Sequence, residues 1–190
     1  MISGTPRILL IVENESVPAD SRVWQEALAL REAGYDVEVI CPQGHAGHDH
    51  ELFEVRDGIL IFRFPSRRSD GSIRGYLCEY GLAVAHVLRL ARQRIRFKRF
   101  DVIHVANPPD LLLPALAPFK LSGAQFVFDQ HDLGPELYAT RFAQRGLFYN
   151  ALRVAEGMSF ALADVVISTN ESFRRIAVSR GHKQIGRAHV

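Results

Sequence analysis

A doubly wound α/β domain built on a parallel sheet is the fold class predicted for this chain, and three observations carry the expectation. Short runs that are apolar on both faces alternate with segments of helical period, the pattern of strands covered by helices on either side. Of the 190 residues, 47% are hydrophobic, enough to fill a core. No internal repeat, low-complexity tract or flexible linker breaks the alternation, so one domain is expected.

The elements follow in order. "RILLIV" (7–12) reads as a strand, and Pro18, Asp20 and Ser21 signal a helix start. Val23, Trp24, Ala27, Leu28 and Leu30 then form one apolar helix face, which Gly34 closes as a C-terminal cap. "DVEVIC" (36–41) is the next strand, and 51–64 reads as two short strands around the Asp57-Gly58 turn. From Ile73 to about Arg94, the residues Ile73, Tyr76, Leu77, Tyr80, Val84, Val87, Leu88 and Ala91 recur at three and four, predicting a long amphipathic helix. "DVIHVAN" (101–107) is a strand, after which Pro114 and Pro118 should kink or split a helix. "QFVF" (125–128) is a strand running into a turn at Gly134 and Pro135. A helix from Leu147 to Leu162 should turn Leu147, Phe148, Ala151, Leu152, Ala155 and Met158 inward. "DVVIST" (164–169) and a last helix from Glu171 complete the pattern.

Composition excludes more than it identifies. With 23 Lys+Arg against 21 Asp+Glu, the net charge of +2 gives no global attraction for nucleic acid. The first apolar run is too short, and too soon followed by Glu13 and Glu15, to be a signal peptide or a membrane span, so a cytoplasmic protein is expected. Cys41 and Cys78 form no metal or redox spacing and read as two small buried hydrophobes. No GxGxxG follows the first strand, which counts against a dehydrogenase, and GxxxxGK[ST], GxSxG and HExxH are also missing. His45, His48 and His50 have metal-like composition, but their glycine-containing loop offers no framework to fix a geometry; no metal is expected.

The polar clusters are better placed. In a parallel α/β sheet, ligands sit outside the carboxyl ends of the strands. Glu13–Glu15, Asn107–Asp110, Asp129–Asp132 and Thr169–Ser172 each follow a strand and should converge on that edge. Structural roles compete at each: Asp20, Asp110 and Asn170 suit helix N-caps, Asn107 is constrained by Pro108, and Glu136 suits a first helical turn. His131 is harder to explain by capping, and the aspartates Asp129 and Asp132 flank it. At the end of the long helix, Arg89, Arg92, Arg94, Arg96, Lys98 and Arg99 form either a solvated helix end or a patch for anionic lipid headgroups, with Phe97 and Phe100 as anchors.

Taken together, "RILLIVENESVPADSRVWQEALALREAGYDVEVICP", "DVIHVANPPDLLLPALA", "FDQHDLGPELYATRF" and "ADVVISTNESFRR" resemble the N-terminal domain of family 4 glycosyltransferases, nearly to Lys183. The resemblance implies one Rossmann-like half of a GT-B architecture, binding mainly the acceptor, with the donor-binding C-terminal domain absent from these residues. By the family's pattern His131 would contact the transferred sugar and be catalytic. Asp20, Arg22, Asn107, Asp110, Asp129, Asp132, Glu136, Asn170 and Glu171 would line the acceptor and donor sites. "ENESVPAD" departs from the glycine-rich loop of many members, which puts donor contacts from that loop in doubt. The implied reaction is retaining transfer from a nucleotide sugar, a co-substrate with no further cofactor, to a glycan or lipid-linked acceptor in polysaccharide or glycolipid assembly. It would run at the inner face of the cytoplasmic membrane, and this fragment alone would be inactive. A nucleotide-sugar epimerase of similar shape and a non-catalytic α/β binding module are the competing readings.

The last six residues, "IGRAHV", continue no family pattern. They are what the string of a common short-read sequencing adapter encodes. The native domain is therefore expected over 1–184, with 185–190 an artefact.

Overall fold

The computed structural model describes residues 4–44, 49–66, 71–143, 145–181 and 186–187. His45 and His48, and most of the 185–190 ending, lie outside the described residues. The chain divides into two compact units, Met1–His104 and Val105–Val190.

In the first unit, β1 (Arg7–Ile11), α1 (Ser21–Glu32), β2 (Asp36–Pro42), β3 (Phe53–Arg56), β4 (Ile59–Phe64) and α2 (Ile73–Ile95) follow one another. β1 pairs parallel with β2 and β2 with β4, while β3 closes antiparallel on β4. Parallel neighbours need a crossover, which α1 supplies between β1 and β2. The hairpin needs only Asp57 and Gly58, both at positive φ (50° and 75°), and the guanidinium of Arg31 occupies the space a Cβ on Gly58 would take. Leu9, Leu10, Ile11, Val39, Ile40, Ile59 and Ile61 are buried, so these strands are covered on both faces.

Two expectations for this unit are corrected. Along α2 the buried residues are Tyr76, Ala83, Val87 and Ala91, whereas Leu77 is 45% exposed. Helical period defines a wide apolar arc, and only packing decides which edge of it is covered. Cys41 is buried as expected, but Cys78 is exposed, on the uncovered side of the same helix.

β5 (Val102–Ala106) spans the boundary between the units. The second unit continues through α3 (Leu112–Ala115), α4 (Ala117–Lys120), β6 (Gln125–Gln130), α5 (Gly134–Phe142), α6 (Leu147–Leu162), β7 (Val165–Ser168), α7 (Glu171–Gly181) and β8 (Gly186–Arg187). The helix after Asp110 is split at Leu116, as Pro114 and Pro118 predict. β6, β7 and β8 are parallel. Phe126 and Phe128 are buried, and Phe128 meets Phe160 of α6 edge to face at 5.5 Å between ring centres. The turn foreseen at Gly134-Pro135 opens a helix, α5, with Glu136 in its first turn.

The inward face of α6 is also corrected. Ala155, Glu156, Ser159 and Phe160 are buried, while Leu147, Ala151 and Met158 are exposed. The helix is apolar on both sides, so period alone cannot orient it. Polar partners decide: Ser159 Oγ donates to the Asp110 carbonyl at 2.5 Å, and Arg180 binds Glu156.

A charged residue is buried in β2 as well. Glu38, 2% exposed, accepts from Arg7 and from Arg94 Nε at 2.8 Å. Removing it would leave two guanidinium groups without their counter-charge. Glu38→Ala is therefore expected to cost about 3–5 kcal/mol, read as a lower urea midpoint for loss of the first unit's structure.

Candidate functional site

Asn107 ends β5 and is 1% exposed. The bonds Asn107-Pro108 and Pro108-Pro109 are both cis. Its backbone N–H donates to the Asp129 carbonyl at 3.0 Å, and its side chain uses both ends. Oδ1 accepts from the backbone N–H of His131 at 2.7 Å and of Asp132 at 3.1 Å. Nδ2 donates to Asp110 Oδ1 at 2.7 Å and to the Asp132 carbonyl at 2.8 Å. One amide thus fixes the loop after β6 to the loop after β5, and among side chains only the longer Gln offers the same amide donor and acceptor pair.

His131 is held at both ends. Its backbone is clamped by Asn107, and its ring Nε2 lies 2.6 Å from Asp129 Oδ2. In the tautomer that carries its proton on Nε2, the ring donates to this carboxylate and leaves Nδ1 as an acceptor. The His131 side chain is 10% exposed and that of Asp129 2%, so the pair is shielded from bulk water.

Asp110 does not cap α3, whose N-cap is Leu111 and has no side-chain cap bond. Its carboxyl instead reaches Asn107, and burial pushes it up to about 7; the Asn107 hydrogen bond and Arg180 oppose the rise, while Glu156 and Glu136 add to it. Among the described residues Oδ2 has no hydrogen-bond partner. It occupies the place where a Cβ on residue 134 would stand, which is why glycine opens α5.

Glu136 belongs to an ion network. Arg180 of α7 binds Glu136 of α5 at 2.5 Å and Glu156 of α6 at 2.9 Å, tying three helices together. Burial raises the Glu136 carboxyl, but the hydrogen bonds and charge of Arg180 outweigh it and the net shift is downward. Fully buried Glu156 moves the other way, burial outweighing Arg180. Neither Arg180 nor Glu156 was singled out in the sequence; a lone acid in an otherwise apolar helical stretch was the available signal.

In the second unit two further candidates stand at the start of α7. Asn170 caps α7, its Oδ1 accepting from Phe173 N–H at 2.9 Å, and Glu171 forms paired bonds of 2.9 Å with Arg174. In the first unit Asp20 caps α1 through Val23 N–H at 3.1 Å, and Arg22 stands in the first turn of that helix. Glu13 after β1 lines a crevice with Phe64, Ser66, Glu79 and Leu82, and burial together with Glu79 pushes its carboxyl up to about 8. The basic end of α2 is partly committed: Arg94 binds Glu38, Lys98 donates to the Thr5 carbonyl at 3.3 Å, and Phe100 is buried under Arg7. Only Phe97, 77% exposed, keeps the expected anchor position, because Phe100 is drawn into the core beside Arg7. Arg89, Arg92, Arg96 and Arg99 are exposed. Among the described residues no helix is long and apolar enough to cross a membrane.

Residues 19–190 match the family model of the glycosyl transferase 4-like domain. The chain belongs to that family. Among solved structures, the domain is similar to sucrose-phosphate synthase from Thermosynechococcus elongatus, with TM-score 0.69 and 18% identity over 96% of this chain and 47% of that one. UGT73P12 of Glycyrrhiza uralensis, solved with glycyrrhetinic acid 3-O-monoglucuronide, matches with TM-score 0.61 and 11% identity over 97% of this chain and 48% of that one. An E. coli structure described as trehalose-6-phosphate bound with UDP-2-fluoro glucose matches with TM-score 0.54 and 15% identity, over 92% and 42%. At such identities the likeness shows the fold, the Rossmann-like α/β domain of GT-B glycosyltransferases. The chain spans about half the length of these structures.

Two outcomes follow from the Asp110 contacts. Gly134→Ala should cost about 1–3 kcal/mol by overpacking against Asp110, measured as a fall in melting temperature. The pH effect has a definite sign. A carboxyl raised from 3.8 to about 7 holds a proton in the native state that the unfolded chain releases. Its contribution is complete below about pH 4 and lost as pH rises through about 7. Asp110→Asn should remove this loss, so urea midpoints of variant and parent should diverge progressively from pH 4 to 7.

Proposed function

We propose that this domain is the acceptor-side half of a retaining glycosyltransferase that moves a sugar from a nucleotide-sugar donor to a glycan or lipid-linked acceptor, with His131 at the transferred sugar. The observation that carries the reading is the 2.6 Å pairing of His131 Nε2 with buried Asp129, on a loop clamped by Asn107. Such a ring is oriented before substrate arrives, and its Nδ1 can accept from a sugar hydroxyl.

The chemistry gives this contact a use. As the bond between the anomeric carbon and the diphosphate lengthens, positive charge builds on the sugar and negative charge on the leaving group. His131, backed by the Asp129 carboxylate, would hold the sugar while that charge develops. Stabilisation of the diphosphate would fall to a donor-binding domain in a longer protein, and the domain alone would turn over no donor. UDP-2-fluoro glucose in the E. coli structure supports a nucleotide sugar as the donor class. The nucleotide sugar would act as co-substrate with no resident cofactor.

The test starts by sequencing the source DNA past the codon for Lys183 and expressing the intact reading frame. Release of free nucleoside diphosphate from a panel of nucleotide sugars then reads donor turnover. His131→Ala should lower kcat/KM by about 10²–10³-fold with the fold intact, and Asp129→Asn should lower kcat more than it raises KM. Full activity in His131→Ala would remove His131 from the reaction; a reading frame with no second domain would end the transferase proposal and favour a binding module.

A further inference from the structure

Asp110 is enclosed on three sides by groups of its own unit. Its backbone carbonyl accepts from Ser159 Oγ of α6 at 2.5 Å, its Oδ1 accepts from Asn107 Nδ2 at 2.7 Å, and its Oδ2 lies against Gly134 at the start of α5. Asp110 is 1% exposed and Ser159 fully buried. A carboxyl held in this way has one orientation, so the acceptor it shows to Asn107 stands in one place.

That place bears on His131. The Asn107 amide meets two acceptors on its nitrogen side, Asp110 Oδ1 and the Asp132 carbonyl, and two donors on its oxygen side, the N–H groups of His131 and Asp132. Three of the four contacts go to the loop after β6 and would move with that loop. The fourth, to Asp110, ties the amide through the Ser159 bond to α6. Without it, the Asn107 amide and the loop can shift together and carry the His131 ring with them.

Charge does not oppose the arrangement. Burial pushes the Asp110 carboxyl up to about 7, and the charged groups facing it are Glu156 of α6, Glu136 of α5 and Arg180 of α7. His131 and Asp132 of the β6 loop are linked to it through Asn107. When neutral, the carboxyl shows Asn107 a carbonyl-type acceptor, as an asparagine in the same place would. We propose that Asp110 is a positioning residue for His131: it touches no substrate and acts by fixing the Asn107 amide that holds the His131 backbone. The consequence for catalysis rests on the transferase reading above; the positioning does not.

Nuclear magnetic resonance of the intact protein from the recovered reading frame, with isotope-labelled histidine, tests the positioning in the absence of substrate. The backbone and ring nitrogens of His131 are both observed, and their loss in His131→Gln assigns them. Asp110→Ala should speed exchange of the His131 amide proton about tenfold and shift the ring nitrogens. Asp110→Asn keeps the acceptor and should match the parent below about pH 7. With donor present, Asp110→Ala should lower kcat about tenfold and leave KM within about twofold, and Asp110→Asn should recover the loss. If Asp110→Ala does not fold, Ser159→Ala, which frees only the Asp110 backbone, stands in, with exchange about threefold faster. Parental exchange and ring signals in Asp110→Ala, or in Ser159→Ala where it stands in, overturn the proposal. So does a change in Asp110→Ala that Asp110→Asn fails to reverse. A released His131 with kcat unchanged supports the positioning and counts instead against the place of His131 in the reaction.

Discussion

A polar group buried where strands end must find its partner inside the protein, since leaving one unmade costs about 1–3 kcal/mol. β6 ends in buried Asp129 and Gln130 and leads at once to half-buried His131 and Asp132. Asn107 holds the backbone of this run, its side chain accepting from the N–H groups of His131 and Asp132 and donating to the Asp132 carbonyl and to Asp110. The remaining features of the second unit's polar centre follow from that clamp. It sets the His131 backbone, brings Asp110 inward, and through Asp110 requires glycine at the start of α5.

Both units use the same device for burying charge. Glu38 lies between Arg7 and Arg94 in one, and Arg180 lies between Glu136 and Glu156 in the other. In each case the central ion has two counter-ions from different elements. A buried pair gains little net stability over a hydrophobic substitute, but loss of one partner is expensive. Such triads therefore favour one arrangement of helices and strands over near alternatives, here the mutual placement of α5, α6 and α7.

α6 links the polar centre to the surface. Its inner side donates from Ser159 to the Asp110 carbonyl and sends Glu156 to Arg180, while its outer side carries exposed Leu147 and Met158. Because the polar inner contacts fix the helix's rotation, they also decide which apolar residues face outward.

The alternation of apolar strands and amphipathic helices, the split at Pro114 and Pro118, the Asp57-Gly58 turn and the Asp20 cap were legible from sequence because each is a local consequence of period or backbone restriction. So was the grouping of Asn107, Asp110, Asp129, His131 and Asp132, since strand ends gather loops. The rotation of α6, the exposure of Cys78, the ion partners of Glu136 and Arg94 and the burial of Phe100 were decided only by tertiary structure. Sequence spacing states which residues share a face, but not which face is covered. Charge in a sequence likewise does not state its partner: Arg180 lies 44 residues from Glu136, and only the packing of α7 against α5 and α6 brings them to 2.5 Å.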